Sequence, residues 1–181
     1  MRKVLVKDIT KELNYLIQNR IEDVIYCIHE QPLVFKSTYG EINKQYCVDN
    51  NYIICESQNM GGIIVANSGD INMAIMKQEG WYVGEQLLQA LRDKLKEKIP
   101  NLVIDSNDLL VDGKYKMISY ASINANNRLV YTCVHISFNP DVNAIQNICI
   151  KPMSKIPKGL SEYGITHDEI IDIIESYIEN L

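Results

Sequence analysis

Two tight turns in the second half of the chain constrain its fold more strongly than any other feature. Asp112-Gly113 separates the run 108–111 from the run 114–123, and Asn126-Asn127 separates that second run from residues 128–138. Asp-Gly and Asn-Asn pairs are favoured where a tight turn needs positive φ angles. We therefore predict consecutive antiparallel strands joined by hairpins over this part of the chain.

Hydrophobic periodicity predicts the other elements. Apolar residues at helical spacing predict helices over residues 9–21 and 83–99, the second ended by Pro100. The capping-box sequence Thr166-His-Asp-Glu169 predicts a final helix over residues 168–179. Short apolar runs predict strands or extended segments at residues 23–28, 32–35, 52–55, 63–65, 71–76 and 102–104. Hairpin strands with helices inserted between them predict an α+β fold with a mainly antiparallel central sheet flanked by helices.

The composition restricts the class of protein. The chain has 181 residues, a net charge of −5 and no repeat or linker, so we expect a single domain over residues 1–181 and no nucleic-acid partner. No apolar run approaches the roughly 20 residues of a membrane span, and the charges near the N-terminus are unlike a secretory leader. Five cysteines without metal-ligand spacing favour a reduced, cytoplasmic environment and no structural zinc site.

The segment 107–119 contains the strongest candidate for a chemical role. Lys116 follows the turn at Asp112-Gly113, and a lysine at a strand end can pair at once with a carboxylate and a phosphate. The alternative is a solvated lysine on an edge strand. Asn107 and Asp108 lie just upstream, where they could hold Mg²⁺ or orient a phosphate, or could simply form a turn.

A second candidate region surrounds the glycine pair Gly61-Gly62. Adjacent glycines allow backbone N–H groups to approach an anion, although most such pairs are only turns. His135 lies in the apolar run 128–138, where a histidine is either a hydrogen-bonded core residue or part of a site. Cys149 lies in the apolar stretch 148–150, which fits a packed segment better than a reactive thiol.

Several segments, in matching order and spacing, resemble the superfamily of lipoate–protein ligases, octanoyltransferases and biotin–protein ligases. Residues 57–72 are similar to the lipoate ligases' Arg-Arg-x-Ser-Gly-Gly-Gly loop and the His-Asp-x-Gly-Asn turn that follows it. Residues 107–111 and 116–119 resemble the motifs Asn-Asp-Leu-hydrophobic-Val and Arg-Lys-Val-Ser-Gly. Shorter similarities lie at residues 29–35, 137–141 and 155–160. The resemblance implies a biotin/lipoate protein ligase-like fold.

The same resemblance implies an enzyme that activates a carboxylic acid, lipoate or a related acyl group, with ATP and Mg²⁺. The acyl group would then pass to a lysine of a small lipoyl-type carrier domain. In this interpretation Lys116 is the catalytic residue and Asp108 helps to bind the metal. The substrate contacts that the resemblance implies are Gln58, Gly61, Gly62, Asn107 and His135.

The chain departs from the family pattern in its glycine-rich loop. Ser57 and Gln58 stand where the family has arginines, Met60 where it has the first glycine of the triplet, and Ala66 where it has the histidine. Losing an arginine removes a bidentate contact to phosphate. Two alternatives therefore stay open. The first is acyl transfer from an acyl carrier with Cys149 as nucleophile, as in octanoyltransferases, and the second is a non-catalytic protein that binds a ligand or another protein.

Overall fold

The computed structural model describes residues 3–5, 9–37, 40–56, 62–126 and 128–181. The strands are β1 (Lys3–Leu5), β2 (Val24–Ile28), β3 (Leu33–Lys36), β4 (Ile53–Glu56), β5 (Ile63–Ala66), β6 (Ile71–Gln78), β7 (Leu102–Asp105), β8 (Asp108–Val111), β9 (Tyr115–Asn126), β10 (Leu129–Ile136) and β11 (Ile156–Pro157). The α-helices are α1 (Ile9–Asn19), α2 (Lys44–Asp49), α3 (Val83–Leu95), α4 (Val142–Ile148) and α5 (His167–Glu179).

The central sheet contains most of these strands. Its order is β1-β2-β6-β10-β9-β8-β7, and β11 pairs with β9 beyond the end of β10. Neighbouring strands are antiparallel except in the pairs β1–β2 and β9–β11. The first hairpin turn has φ angles of 53° at Asp112 and 64° at Gly113, and Arg128 in the second has 70°. Asn127 lies outside the described residues. The predicted α+β fold with a mainly antiparallel sheet is confirmed.

Helices and a second sheet cover the two faces of the central sheet. On one face, α3 and α5 bury Leu87, Leu91, Ile170 and Ile174 against the strands. On the other face lie α1 and a small sheet of order β4-β3-β5, whose inward side chains join α1 in a second apolar cluster. α2 and α4 pack on the outer side of the small sheet. None of the helices in the described ranges is long and apolar enough to cross a membrane.

Three helix boundaries differ from the sequence prediction: α1 ends at Asn19 rather than at residue 21, α5 begins at His167 rather than at residue 168, and α3 is shorter at its end. α3 ends at Leu95, before the predicted limit at residue 99, because the N–H groups of Lys98 and Ile99 both bond to the Leu95 carbonyl in a closing turn. Ile99 remains buried, which explains its helical spacing in the sequence. The predicted capping box at Thr166 is present and starts α5. The short helix α2 has one buried residue and was not predicted.

The packed apolar segment predicted at residues 148–150 is wrong in part. Ile148 is instead the last residue of α4, which begins where the Asp141 carboxylate accepts the Ala144 N–H at 2.9 Å. Ala144, Ile145 and Ile148 are buried at helical spacing, so the local signal is that of a helix. Ile150 lies beyond the helix and its side chain is 59% exposed.

A close backbone contact at Gly159 predicts a specific loss of stability. A Cβ atom at this position would lie 2.0 Å from the Phe138 carbonyl oxygen, although the φ angle of −93° suits any residue. We expect Gly159→Ala to lower the free energy of unfolding by about 1–3 kcal/mol, because a backbone atom cannot rotate away. Urea denaturation measures the change. Gly62→Ala is the control, since no described residue lies within 4 Å of the Cβ that it would add; equal effects of the two substitutions would contradict this packing.

Candidate functional site

A cleft of about 500 Å³ opens between the small sheet and the central sheet. Its walls include β5, the start of β9, the end of β10 and the segment that follows α4. Of the residues singled out in the sequence, Lys116, Gly62 and His135 line this cleft together. Asn107 lies in the exposed turn between β7 and β8 and does not line it. Gln58 and Gly61 lie outside the described residues.

A β-bulge directs Lys116 into the cleft. The register between β8 and β9 shifts at Met117, because Leu109 faces Ile118 whereas Leu110 faces Lys116. Met117 and Ile118 are therefore both buried in the core under α3 and α5, whereas Lys116 and Ser119 line the cleft. Regular alternation along the strand would have placed residue 116 on the same face as residue 118.

The ammonium group of Lys116 is a free cation in the cleft wall. No carboxylate lies within ion-pair distance of it in the part of the chain that the structure describes. The backbone beside it is fixed, since the Lys116 carbonyl accepts the Lys158 N–H at 2.9 Å and β11 pairs with Tyr115 and Lys116. A half-buried cation on a fixed strand is suited to binding an anion.

Asp108 does not present a free carboxylate. Its Oδ2 atom lies 2.9 Å from the Lys155 ammonium, which also lies 2.7 Å from Asp105. These contacts raise the pKa of Lys155 and lower that of Asp105. No group of three potential metal ligands occurs among the described residues. Asp108 therefore anchors the cleft-lining segment that contains Lys155. Its predicted part in binding magnesium stays a prediction.

His135 is held in one orientation at the inner wall of the cleft. Its Nδ1 lies 2.7 Å from Asn72 Oδ1, and its Nε2 lies 3.1 Å from Ser137 Oγ. Because the amide oxygen of Asn72 can only accept, Nδ1 carries the proton and Nε2 accepts the Ser137 hydroxyl. Burial, reinforced by the charge of Lys116, lowers the pKa of His135 to about 3, so the ring is neutral.

The buried carboxylate of Asp70 joins the turn before β6 to the end of β10. Its Oδ1 accepts the Phe138 N–H at 2.7 Å, and its Oδ2 accepts the Asn67 N–H at 2.8 Å. Oδ2 also lies 3.8 Å from His135 Nε2. Burial raises the pKa of Asp70, and its backbone hydrogen bonds oppose that rise. Sequence reasoning assigned no role to Asp70, Asn72 or Ser137; the pairing of Asn72 with His135 in the sheet register is what reveals them.

Cys149 lines the same cleft as Lys116. It follows the last residue of α4, forms a β-bridge with Ile42 and is half-buried. Burial raises the pKa of its thiol, and the positive charge of Lys116 opposes this rise. The expectation that Cys149 is only a packing residue is therefore incomplete, because its position gives the thiol access to the cleft.

One wall of the cleft is an unpaired strand edge. β5 is the outer strand of the small sheet, and the Ser37 N–H bonds to the Gly62 carbonyl, which fixes the alternation of its ladder with β3. The N–H and C=O groups of Ile63 and Val65 therefore point away from β3. No backbone partner for either residue occurs in the described ranges. An unpaired edge in the wall of a cleft presents alternating donors and acceptors to a ligand.

Apolar side chains form the rest of the cleft. Ile64, Ile145 and Met153 line it, and Ile64 also borders a small apolar recess on the inner side of β5. Phe35 and Cys133 are among the residues of this recess. The cleft therefore combines a cationic and polar part with an apolar part, which suits a ligand with an anionic head and a hydrocarbon tail.

The two buried histidines predict a loss of stability on mild acidification. The pKa of His29 is lowered to about 4, by burial and then by His135, and that of His135 is about 3. The unfolded chain therefore takes up protons below pH 6.5 that the folded chain does not, so stability is full above pH 6.5 and falls as the pH decreases. At pH 5 each histidine should cost about 2 kcal/mol.

Urea denaturation of the wild type and of His29→Gln at pH 7 and pH 5 measures this effect. The variant should lose less stability than the wild type over this interval, because it lacks one of the two groups. Equal losses in the two proteins would contradict the assignment of a depressed pKa to His29.

Comparison with known proteins identifies this architecture. Neither protein-family models nor the sequences of curated proteins match the chain. The bi-partite lipoate protein ligase of Thermoplasma acidophilum, studied with its E2 lipoyl domain, superposes with a TM-score of 0.78 at 12% identity, over 99% of this chain and 82% of that one. Lipoate-protein ligase A bound with ATP gives 0.75 at 12% identity, over 99% and 83%.

Biotin protein ligases share the architecture at lower similarity. The enzyme from Aquifex aeolicus, in complex with biotin and ATP, superposes with a TM-score of 0.57 at 13% identity, over 99% of this chain and 69% of that one. The chain therefore has the lipoate/biotin protein ligase-like fold that its sequence motifs predict.

Proposed function

We propose that this protein is a divergent acyl–protein ligase of the lipoate type. It activates a carboxylic acid of the lipoate or octanoate class with ATP and transfers the acyl group to a lysine of a lipoyl-type carrier domain. The observation that carries this proposal is the ammonium of Lys116, which has no carboxylate partner among the described residues and lines the cleft of a lipoate ligase-like fold. The solved ligases of this fold are described with lipoate, with ATP or with a lipoyl domain.

Lys116 acts where negative charge is concentrated. In the first step an oxygen of the acid forms a bond to the α-phosphorus of ATP and pyrophosphate leaves. The ammonium neutralises both the carboxylate and the α-phosphate as they approach, which lowers the electrostatic cost of joining two anions. In the second step the carrier amine attacks the carbonyl carbon, AMP leaves and the amide forms. Asp108, the residue predicted to bind magnesium, contacts Lys155, so no part of this mechanism is assigned to a metal ion.

The free edge of β5 supports binding of the nucleotide base. Adenine presents an N–H donor at N6 beside an acceptor at N1. The backbone C=O and N–H groups of Ile63, which is half-buried, and Val65, which is buried, offer the complementary pair along the strand edge. Such contacts need no particular side chain, so they are compatible with the loss of the loop arginines at Ser57 and Gln58.

The apolar part of the cleft supports an acyl substrate. Ile64, Ile145 and Met153 present hydrocarbon surface beside the polar groups that would meet the carboxylate. Burial of a methylene group contributes about 0.8 kcal/mol, so a medium-length chain gains several kcal/mol of binding from such walls. The carboxylate alone would be held mainly by Lys116.

A second candidate function is acyl transfer through Cys149. The observation that favours it is that Cys149 and Lys116 line one cleft, and that the charge of Lys116 acts to lower the pKa of the thiol. A thiolate beside a cation is the arrangement that covalent acyl transfer needs. Against it, burial raises the pKa of Cys149, and this effect is the larger one. A non-catalytic ligand-binding protein is the outcome if neither reaction occurs.

Replacing Lys116 tests the ligase function. Lys116→Ala should abolish pyrophosphate release from ATP in the presence of lipoate or octanoate, and should change the free energy of unfolding by about 0.5 kcal/mol or less. Lys116→Arg should not restore activity, because a planar guanidinium does not replace a compact ammonium. Lys114→Ala is the matched control, since Lys114 is exposed in the turn two residues away. Full activity of Lys116→Ala would refute the proposed role.

Replacing Cys149 separates the ligase from the transferase. Cys149→Ser should leave ATP-dependent acylation of a lipoyl domain largely unchanged, because the adenylate route does not use the thiol. Mass spectrometry of the carrier domain follows the reaction with ATP and octanoate, and in parallel with an octanoyl thioester of a carrier protein. Transfer from the thioester that is lost in Cys149→Ser would instead establish the transferase.

A further inference from the structure

Two side chains that line the cleft and a third behind them form an arrangement that the ligase mechanism above does not use. Ser137 Oγ lies 3.1 Å from His135 Nε2, and His135 Nδ1 lies 2.7 Å from Asn72 Oδ1. Asn72 is on β6, His135 is its register partner on β10, and Ser137 follows the end of β10. All three are buried, and both His135 and Ser137 line the cleft.

We infer that Ser137, His135 and Asn72 form a nucleophile, a general base and a positioning residue that carry an activated acyl group as an ester on Ser137. The inference rests on the proposed function for its acyl substrate, and it adds a covalent intermediate to it. An activated nucleophile is recognised by a base within about 2.6–3.2 Å that is itself oriented by a third group. Asparagine is an established orienting partner in such sets.

The hydrogen bonds give each residue a defined part. Asn72 Oδ1 accepts a hydrogen bond from the Nδ1–H group and so fixes the tautomer in which Nε2 is the acceptor. The lone pair of Nε2 then faces the Ser137 hydroxyl, whose proton must be removed. When Nε2 is protonated, the carboxylate of Asp70 at 3.8 Å stabilises the imidazolium. Lys116 lines the same cleft and stabilises the oxyanion of the tetrahedral intermediate.

The acyl group is transferred in two steps that need only the activated acyl group and the carrier lysine as reactants. Ser137 Oγ bonds to the carbonyl carbon of the activated acyl group, the bond to the leaving group breaks, and the hydroxyl proton moves to His135 Nε2. In the return step a carrier lysine amine attacks the ester carbonyl. Before this attack Nε2 gives its proton to water, because the ring of His135 is neutral at rest. The C–N bond forms as the C–Oγ bond breaks, and Nε2 takes the proton that the amine loses and delivers it to Oγ.

Four other hydroxyl or thiol groups line the cleft, at Ser37, Ser119, Cys149 and Ser154, and no hydrogen bond joins any of them to a histidine among the described residues. Ser119 lies opposite His135 in the register of β9 and β10, yet no hydrogen bond joins its hydroxyl to the imidazole in the described residues. Cys149 is at the end of α4, where the groups that affect its pKa are its burial and Lys116 rather than a histidine base. The geometry therefore distinguishes Ser137 from its neighbours.

An activated ester tests the inference without ATP. p-Nitrophenyl octanoate supplies the acyl group directly, so the result is independent of nucleotide binding. We expect a burst of about one equivalent of p-nitrophenolate per protein chain, with the octanoyl group mapped to Ser137 by peptide mass spectrometry. An ester on Ser137 survives neutral hydroxylamine and is cleaved by alkaline hydroxylamine, whereas a thioester on Cys149 is cleaved at neutral pH and an amide on Lys116 survives both.

Substitutions assign the three parts. Ser137→Ala should lose the burst. Ser137→Cys should keep it, with an adduct that becomes labile to neutral hydroxylamine, which a merely structural role would not produce. His135→Gln should slow acylation about 100-fold, as removal of a general base does. Asn72→Asp keeps an acceptor for Nδ1 and should preserve acylation, whereas Asn72→Leu should slow it.

Ser122→Ala is the matched control for a lost hydroxyl. Ser122 lies on β9 and its hydroxyl bonds to Thr132 at 2.8 Å, outside the residues of the cleft; this variant should acylate like the wild type. Acylation at Ser119, Cys149 or Lys116, an unchanged Ser137→Ala, or no burst in the wild type would each overturn the inference. Those results would not change the outcome of the pyrophosphate assay of the ligase function. A failed pyrophosphate assay would likewise not change the outcome of the ester assay, because the ester assay uses no ATP.

Discussion

The structure depends most on the buried carboxylate of Asp70. One oxygen holds the backbone of Phe138 and the other holds the backbone of Asn67, so a single side chain ties the end of β10 to the turn before β6. Leaving such a charge buried without partners would cost several kcal/mol, and the same low-dielectric surroundings make its hydrogen bonds strong. The position of Ser137, and with it one wall of the cleft, follows from this anchor.

The unpaired edge of β5 and the bulge in β9 determine which groups line the cleft. β5 keeps one edge unpaired beside the central sheet, which leaves backbone donors and acceptors of Ile63 and Val65 for a ligand. β9 carries a bulge at Met117, which places Lys116 on the side of the cleft and two consecutive apolar residues in the core. Bulges often redirect a side chain next to a functional site, and here the redirected group is the cation on which the proposed chemistry rests.

The charged groups at the cleft have different parts, because Lys155 is held in ion pairs and Lys116 is not. Lys155 is neutralised by Asp105 and Asp108, and this contact holds the segment after α4 against the hairpin of β7 and β8. Lys116 has no such partner among the described residues and keeps its charge for a ligand. His135 stays neutral because it is buried beside that cation. An anionic acyl phosphate would meet the ammonium groups of Lys116 and Lys151, the neutral imidazole of His135 and several serine hydroxyls.

The sequence by itself determined the strands, the hairpin at Asp112-Gly113, the last helix and the ligase-like order of motifs, because periodicity, turn residues and caps are local signals. It also pointed to Lys116, through the tight turn before it and the likeness of the segments around it to a known family. The ion pair of Asp108 could not be predicted from its neighbours in the sequence, because its partner Lys155 lies 47 residues away in the chain. Nor was the triad of Asn72, His135 and Ser137, since the register of two strands brings the first two together across 63 residues. Only the tertiary structure decides that the carboxylate of Asp108 has an ion-pair partner and that Lys116 has none among the described residues. The physical reason is that ion pairs and hydrogen bonds depend on distances between groups, and the packing of the chain sets those distances.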